Sequence, residues 1–309
     1  MTIKNNQHLV SVVLPVFNGE KYLRFAIESI LNQTHINIEF LIINDGSSDE
    51  SLMIIRSYND ERIKIINQLH MGHVAAYNTG FKNASSDFIT MMDQDDICAK
   101  DKIKKQLKYL IQNDLSLVGS WFNILDKEGA LIAQRKPPVF QDRIRLELKY
   151  KNDTVFNPTT MIRKEIFLKY GYFDSAYDPS SDYEFYLRFY EQEKIANIAE
   201  YLYSWRINPK SISHSNTKRV YAKTYLISMQ NLKKEKKNLT NGEFFYFSGL
   251  IAYYNNFLIK AAKNLIIAQF SRKRPRGILL YILKSTVLAI PLKIARKFDL
   301  FNRCYRVVK

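Results

Sequence analysis

Three carboxylates fall within four residues at the end of an apolar run. In "FITMMDQDDICAKDKI" (88–103) a stretch that reads as a buried strand ends in Asp93, Asp95 and Asp96. Gathering like charges at a strand end is unfavourable unless a cation sits among them. Asp93 and Asp95 are separated by one residue, so in extended chain both point the same way and can approach one hard ion. Oxygen-only ligands suit Mg2+ or Mn2+, and Mg2+ takes one or two carboxylates together with substrate phosphates. No Cys/His cluster competes for zinc. The same acids also suit the cap of a helix beginning near Lys100, and the Asp-x-Asp pair alone does not decide between the two. Asp45, at the tip of "IEFLIIND", is placed to accept hydrogen bonds from a ribose hydroxyl or a base edge, or to form the turn ahead of Gly46. "PVFNGEKY" follows the first strand where a GxGxxG would stand, and no GxxxxGK(S/T) occurs. Both absences argue against NAD-type and P-loop phosphate cradles.

The elements that must position these acids alternate. "LVSVVLPVF" (9–17), "IEFLIIN" (38–44), "IKIIN" (63–67) and "DFITMM" (87–92) read as strands. Between them "EKYLRFAIESILNQ" (20–33), "DGSSDESLMIIRSY" (45–58) and "GHVAAYNTGFKNA" (72–84) read as helices, the second entered through a Ser/Asp-capped turn. Such alternation predicts βαβ units and a parallel sheet with helices on both faces. Ligands of such sheets bind beyond the carboxyl ends of the strands. Pro15 to Asn18, Asp45, the segment after Asn67 and Asp93 to Asp96 come from four strands and should line one edge. The second half is less regular. It shows strand over 115–125, a short helix over 142–150, strand, helix and turn over 157–173, a capped helix over 180–193 and strand over 195–206. From about 217 the pattern is helical.

Composition sets the frame. A chain of 309 residues with 46% hydrophobic and 13% aromatic side chains can bury a sizeable core and is not disordered. Two cysteines, Cys98 and Cys304, make no disulfide framework and fit a reducing compartment. The first residues, "MTIKNNQHLVSVV", lack the pattern of a secretory signal. The net charge of +16 is concentrated: residues 1–219 carry 28 basic and 27 acidic side chains, residues 220–309 carry 18 basic against three acidic.

"VSVVLPVFNGEKYLRFAIESILNQT", "FLIINDGSSDES" and "MMDQDD", in this order and at this spacing, resemble the successive nucleotide-binding blocks of the family 2 glycosyltransferases, which have the GT-A fold. The likeness covers about residues 9–206. It implies an α/β, Rossmann-like, mainly parallel sheet in a glycosyltransferase domain over 1–215, with a nucleotide-sugar half (about 9–98), an acceptor half (about 99–215) and a helical basic region over 216–309. It implies that Pro15, Phe17, Asn18 and Glu20 shape the nucleoside pocket and that Asp45 contacts base or ribose. Asp93 would face the ribose or sugar, and Asp95, with Asp93, would hold Mn2+ or Mg2+ against the diphosphate. In "MGHVAAYNTG" (71–80) Asn78 and Gly80 match a family block that usually reads Ala-Arg-Asn-x-Gly, while Tyr77 stands where arginine is common. In "SSDYEFYLRF" Asp182 matches the general base, whereas Ser181 replaces the acid that usually precedes it. Locally, Ser180 and Ser181 also suit helix caps and Asp182 the first-turn dipole. Glu184 is the reserve base, two residues on and facing away from Asp182 on a helix.

The reaction so implied is an inverting, metal-assisted transfer of a hexosyl or N-acetylhexosaminyl group. It runs from a UDP-sugar to a growing polysaccharide or lipid-linked saccharide, at the inner face of the plasma membrane. Further candidates for the site are Asp96, Arg206, whose guanidinium suits a phosphate or acceptor oxyanion, and His214, which reaches the site only if its loop folds over. Two other readings stay open. A sugar-1-phosphate nucleotidyltransferase would need a Gly-rich, Arg-containing loop after the first strand. A non-catalytic nucleotide-sugar binding module is kept open by Ser181 and Tyr77.

The tail has its own chemistry. "GLIAYYNNFLIKAAKNLIIAQF" (249–270), "SRKRPR" (271–276) and "GILLYILKSTVLAIPLKIARKF" (277–298) are apolar but repeatedly interrupted by Asn, Lys and Arg. A spanning helix needs about 20 nearly uninterrupted apolar residues. Residues 249–309 therefore read as an interfacial region on an anionic membrane surface, or as a helical bundle or homo-oligomer interface. Long apolar stripes without a recognition module argue against nucleic acid.

Overall fold

The structure is a computed structural model, and it describes residues 8–152, 154–208 and 217–269. His214 and the tail beyond Gln269 lie outside the described residues. The described chain divides into two compact units, one within 8–217 and a helical one formed by 149–151 with 218–269.

The first unit follows the predicted alternation: β1 (Val10–Val16), α1 (Leu23–Leu31), β2 (Ile38–Asp45), α2 (Ser51–Arg56), β3 (Ile63–Gln68), α3 (His73–Asn83) and β4 (Phe88–Met91). β1 and β2 are buried along their whole length, as expected of central parallel strands covered on both faces. The strands pair in parallel in the order β3-β2-β1-β4, with Val10 opposite Ile38 and Ser11 opposite Ile89. Val12, Leu14, Phe40 and Ile42 pack with Ile27, Ile30 and Ile55 of α1 and α2 in the main core. α3 lies so close to β1 that a Cβ on Gly80 would come within 2.2 Å of Val13 Cγ1, which is why no side chain stands there.

The second half continues with β5 (Ile97–Cys98), α4 (Lys102–Gln112), β6 (Leu117–Leu125), β7 (Leu131–Arg135), α5 (Gln141–Leu148), β8 (Met161–Arg163), α6 (Lys164–Tyr170), α7 (Ser181–Leu187) and β9 (Ile195–Arg206). It extends the same sheet through β8, antiparallel to β4, then β6, β9 and β5. β6 and β9 run parallel over nine pairs, so the longest pairings of the sheet are all parallel. Two strands were not expected. β5 is two residues long, and β7 is an exposed edge strand, "LIAQR", paired only with β6.

In the helical unit, α8 (Thr217–Glu235), α9 (Asn241–Tyr254) and α10 (Leu258–Gln269) follow in turn, and a capping box between Thr240 and Glu243 starts α9. Leu250 and Ile251 are buried with Leu232 and Tyr150. This corrects part of the expected membrane-facing segment: residues 249–255 belong to the core of this unit. The asparagines that interrupt the apolar run serve that packing. Asn264 Nδ2 donates to Ser248 Oγ (2.8 Å) and Asn255 Nδ2 to the Ile251 carbonyl (2.8 Å). Among the described residues no helix is long and apolar enough to cross a membrane.

One buried charge ties the parallel strands together. Glu39 on β2 accepts from Ser11 Oγ on β1 (2.5 Å), Lys64 Nζ on β3 (2.8 Å) and the Ser85 N–H (2.6 Å). Burial opposes its ionisation, yet Lys64, Ser11 and Ser85 outweigh burial and hold the carboxyl at about 2 against an ordinary 4.5. A depressed carboxyl stabilises the fold above its unfolded value and loses that contribution as pH falls. Glu39→Gln should therefore lower stability by about 2 kcal/mol near neutral pH. In thermal melts the gap from wild type should close as pH falls from about 4.5 toward 2. A gap independent of pH would show that the charge is not what matters.

Candidate active site

The expected strand ends do meet on one edge, and a web of hydrogen bonds sets their spacing. Phe17, just past β1, is bridged by the Gln94 side chain: Phe17 N–H donates to Gln94 Oε1 (2.9 Å) and Gln94 Nε2 donates to the Phe17 carbonyl (3.0 Å). A Cβ on Gly19 would strike the Gln94 amide at 2.4 Å, so the glycine permits this clamp. Asn18 takes φ of 49° and its Oδ1 accepts from the Ser48 N–H at 2.8 Å. Glu20 Oε2 accepts from the Glu50 N–H at 3.0 Å. Both side chains thus fasten the turn after β1 to the loop after β2, and Pro15, inside β1, sets the strand that leads into that turn.

Asp45 ends β2 almost wholly buried, at 2% exposure. Its Oδ1 accepts from Gln68 Nε2 (2.6 Å) and Met71 N–H (2.9 Å), its Oδ2 from Gly72 N–H (2.9 Å), with His70 Nδ1 also 2.9 Å away. Its carboxylate shapes the loop after β3. That loop carries the His70 ring onto Phe17, with centroids 3.8 Å apart and planes at 16°. The stacked pair is part-exposed and is the aromatic surface of this edge.

The acidic turn after β4 divides into distinct environments. Asp93 Oδ1 accepts from the Tyr77 hydroxyl at 2.7 Å, and the Asp93 N–H donates to Tyr203 Oη at 3.2 Å. Tyr77 is buried, and burial with Asp93 beside it pushes its hydroxyl well above 10, so it stays a donor. Asp95 Oδ2 accepts from Asn208 Nδ2 at 3.2 Å. Burial, then repulsion from Asp93, raises its carboxyl from 3.8 to about 6. Asp96 is fully buried and accepts from Tyr203 Oη (2.8 Å) and the Arg206 N–H (2.8 Å). Burial and the neighbouring acids raise it well above its ordinary value.

Several expectations need correcting. Asp96 is a structural post for β9 with no open face. Arg206 is 3% exposed, donates through Nε to the Asp95 carbonyl (2.9 Å) and lies over the Tyr22 ring at 4.7 Å, so it orders the acidic turn from behind. Asn78 pairs its amide with the Phe173 backbone in both directions (2.8 and 3.1 Å), joining α3 to the segment that leads to Asp182. Glu184 is bound by Arg188 at 2.5 Å, which removes it as reserve base.

Asp182 sits in the first turn of α7, part-exposed, with Oδ1 accepting from the Tyr183 N–H at 2.8 Å. Burial raises its carboxyl to about 6, with His73 opposing and Asp93 reinforcing the shift, so Asp182 lies within electrostatic reach of the acidic turn. Ser181, at the position where the family carries an acid, donates to the Asp174 carbonyl at 2.8 Å. Sequence reasoning missed His70, His73, Gln94 and Tyr203. His73 was legible in principle, being one helical turn before Tyr77. Tyr203 was not, because its partner Asp96 is 107 residues away.

Among the described residues no group of three or more His, Cys, Asp or Glu forms a ready metal cage. The donor set still suits a hard cation: two part-exposed carboxylates in one turn, one of them raised by repulsion from the other, leave the remaining positions to substrate oxygens.

A parallel sheet with an acidic turn at the carboxyl end of its fourth strand is the arrangement of a GT-A transferase. The model of "Glycosyl transferase family 2" matches residues 11–171, and the chain belongs to that family. An uncharacterised glycosyltransferase of Methanocaldococcus jannaschii is 31% identical over 79% of this chain and 87% of its own length. The O-antigen biosynthesis glycosyltransferase WbnJ of Escherichia coli is 31% identical over 75% and 92%. Among solved structures, S. aureus TarS (residues 1–349) in complex with UDP-GlcNAc superposes with a TM-score of 0.63 at 18% identity, over 97% of this chain and 92% of that one. The mannosyltransferase PcManGT from Pyrobaculum calidifontis, in complex with GDP-Man and Mn2+, gives 0.57 at 15% identity, over 96% and 86%.

The raised carboxyl makes a stability prediction. A carboxyl whose folded value lies above its unfolded one binds the extra proton in the folded state, so stability falls as pH rises from 3.8 to about 6. Asp95→Asn should therefore melt higher than wild type at about pH 8 in chelator, by about 1–2 kcal/mol, with the gap vanishing at about pH 4. A lower melting point for the variant at the higher pH would contradict the repulsion.

Proposed function

We propose that this glycosyltransferase moves a hexosyl or N-acetylhexosaminyl group from a UDP-sugar to a saccharide acceptor, with inversion. The observation that carries the reading is the set of part-exposed acids at this edge, Asp93 and Asp95 in the turn after β4 and Asp182 at the start of α7 within electrostatic reach of Asp93, with Asp95 and Asp182 raised to about 6 mainly by burial. Asp95, with Asp93, would hold Mn2+ or Mg2+. Bound there, the ion supplies charge stabilisation to the departing diphosphate. Phe17 and His70 offer the base a flat surface, and Asp45 sets the loop that carries His70. Asp182 takes the proton of the acceptor hydroxyl, and a carboxyl near 6 suits a base working close to neutral pH. The complexes of TarS with UDP and UDP-GlcNAc favour UDP as the nucleotide, and that of PcManGT with GDP-Man makes GDP the control.

On this reading residues of about 9–98 serve the donor and those of about 99–215 the acceptor. The name of WbnJ favours a surface polysaccharide or its lipid-linked precursor as acceptor. A lipid-linked acceptor places the enzyme at the inner face of the plasma membrane. The described part of the tail supports this: α10 exposes Ile259, Ile266 and Ile267 beside Lys260 and Lys263, and the sequence of 220–309 carries 16 more basic residues, a charge suited to anionic lipid.

The test is calorimetric titration of UDP and GDP with and without Mn2+. UDP should bind only with metal, and Asp95→Ala should abolish that dependence together with tight binding. Equal binding without metal would remove the ion from the site. Asp182→Asn should lower turnover by about 100-fold or more while UDP affinity holds. Undiminished turnover would dismiss Asp182 as base and favour a binding module without catalysis. The chain should also sediment with vesicles containing phosphatidylglycerol at low salt and release at high salt. Equal sedimentation with neutral vesicles would exclude charge as the anchor.

A further inference from the structure

His73 opens α3 beside the acidic turn, and the roles given above leave it without one. Its side chain is 39% exposed. Tyr77, one turn on, meets it edge-on with centroids 4.7 Å apart and planes at 84°, which fixes where the imidazole stands. Its Nε2 lies 3.9 Å from Asp93 Oδ1, beyond hydrogen-bond reach, and that oxygen already accepts from Tyr77. The same imidazole acts electrostatically on Asp95 and on Asp182. It therefore stands beside the acidic turn and within electrostatic reach of Asp182.

The space between these acids has one natural occupant if the donor and base are held as proposed. An in-line displacement puts the leaving oxygen on the Asp93–Asp95 side and the attacking hydroxyl at Asp182, so the transferred sugar ring lies between them. A part-exposed imidazole 3.9 Å from Asp93 and within electrostatic reach of Asp95 and Asp182 lies along that ring. We propose that His73 is a donor-sugar contact, hydrogen-bonding a hydroxyl or acylamino group of the transferred sugar, and so helps set which sugar is accepted. This inference rests on the donor and base reading above.

The two can fail separately. With Mn2+ present, UDP, UDP-glucose, UDP-galactose and UDP-N-acetylglucosamine are titrated into wild type, His73→Ala and His73→Gln, with melting curves as the check of folding. Wild type should bind at least one UDP-sugar more tightly than UDP. His73→Ala should weaken that sugar by about tenfold while UDP changes by less than about twofold, and His73→Gln, which keeps a donor, should recover part of the loss. Equal weakening of UDP and UDP-sugar would overturn the proposal, since the contact would then be to the nucleotide. So would UDP binding in wild type with no gain from any of the three sugars, although the donor reading would stand. No UDP binding at all would remove the donor reading and this inference with it.

Discussion

Everything at the catalytic edge is arranged around the mutual repulsion of the acids after β4. Asp93, Asp95 and Asp96 cannot all be ionised in so small a volume without opposing charge or donors. The fold supplies neutral or distant donors instead of cations. Tyr77 serves Asp93, Asn208 serves Asp95, and Tyr203 with the Arg206 N–H serves Asp96. Those donors come from α3, from β9 and from the residues just after it, so β9 must run back beside β6 before the turn can be held. The sheet order, in which β9 lies between β6 and the short edge strand β5, serves that requirement as well as hydrophobic burial.

Asp95 and Asp182 are both raised to about 6, mainly by burial, yet their surroundings separate them. Asp95 has Asp93 beside it, so charge there is relieved best by a cation. Asp182 has a helix start and His73 nearby, and Glu184 on the same helix is taken up by Arg188. Its exposed oxygen is relieved best by a proton. Similar shifts in different surroundings would suit the two carboxyls to the different tasks proposed for them.

The parallel half of the fold was legible because its strands are uniformly apolar and its helices periodic: "VSVVLPV" and "IEFLIIND" admit little else. β5 and β7 were not, being a two-residue pair and an exposed edge with no alternation. Asp93, Asp95 and Asp182 are singled out by the order of blocks, since each has an equally good local use as a cap or turn. Local sequence also misdirected. Arg206 reads as an oxyanion contact, but a guanidinium is equally suited to carbonyls and ring faces, and only the fold shows Asp95 O and Tyr22 around it. Asn255 and Asn264 read as interruptions of an interfacial helix, whereas a buried amide bonded across a helix pair is a packing device.

The replacement of arginine by Tyr77 bears on how much negative charge the edge retains. The other cations nearby point away from the carboxylates. Arg206 donates its Nε to a backbone carbonyl, and Lys102, fully buried under the same turn, donates to Thr90 Oγ1 at 2.7 Å and lies over the Tyr203 ring. Burial lowers the Lys102 ammonium further. A phenol satisfies one oxygen of Asp93 but adds no charge, so the turn keeps its full attraction for a hard ion. An arginine at that position would have competed with such an ion for Asp93. The departure at Tyr77 therefore leaves Asp93 bonded to a neutral donor, with no guanidinium from α3 against it.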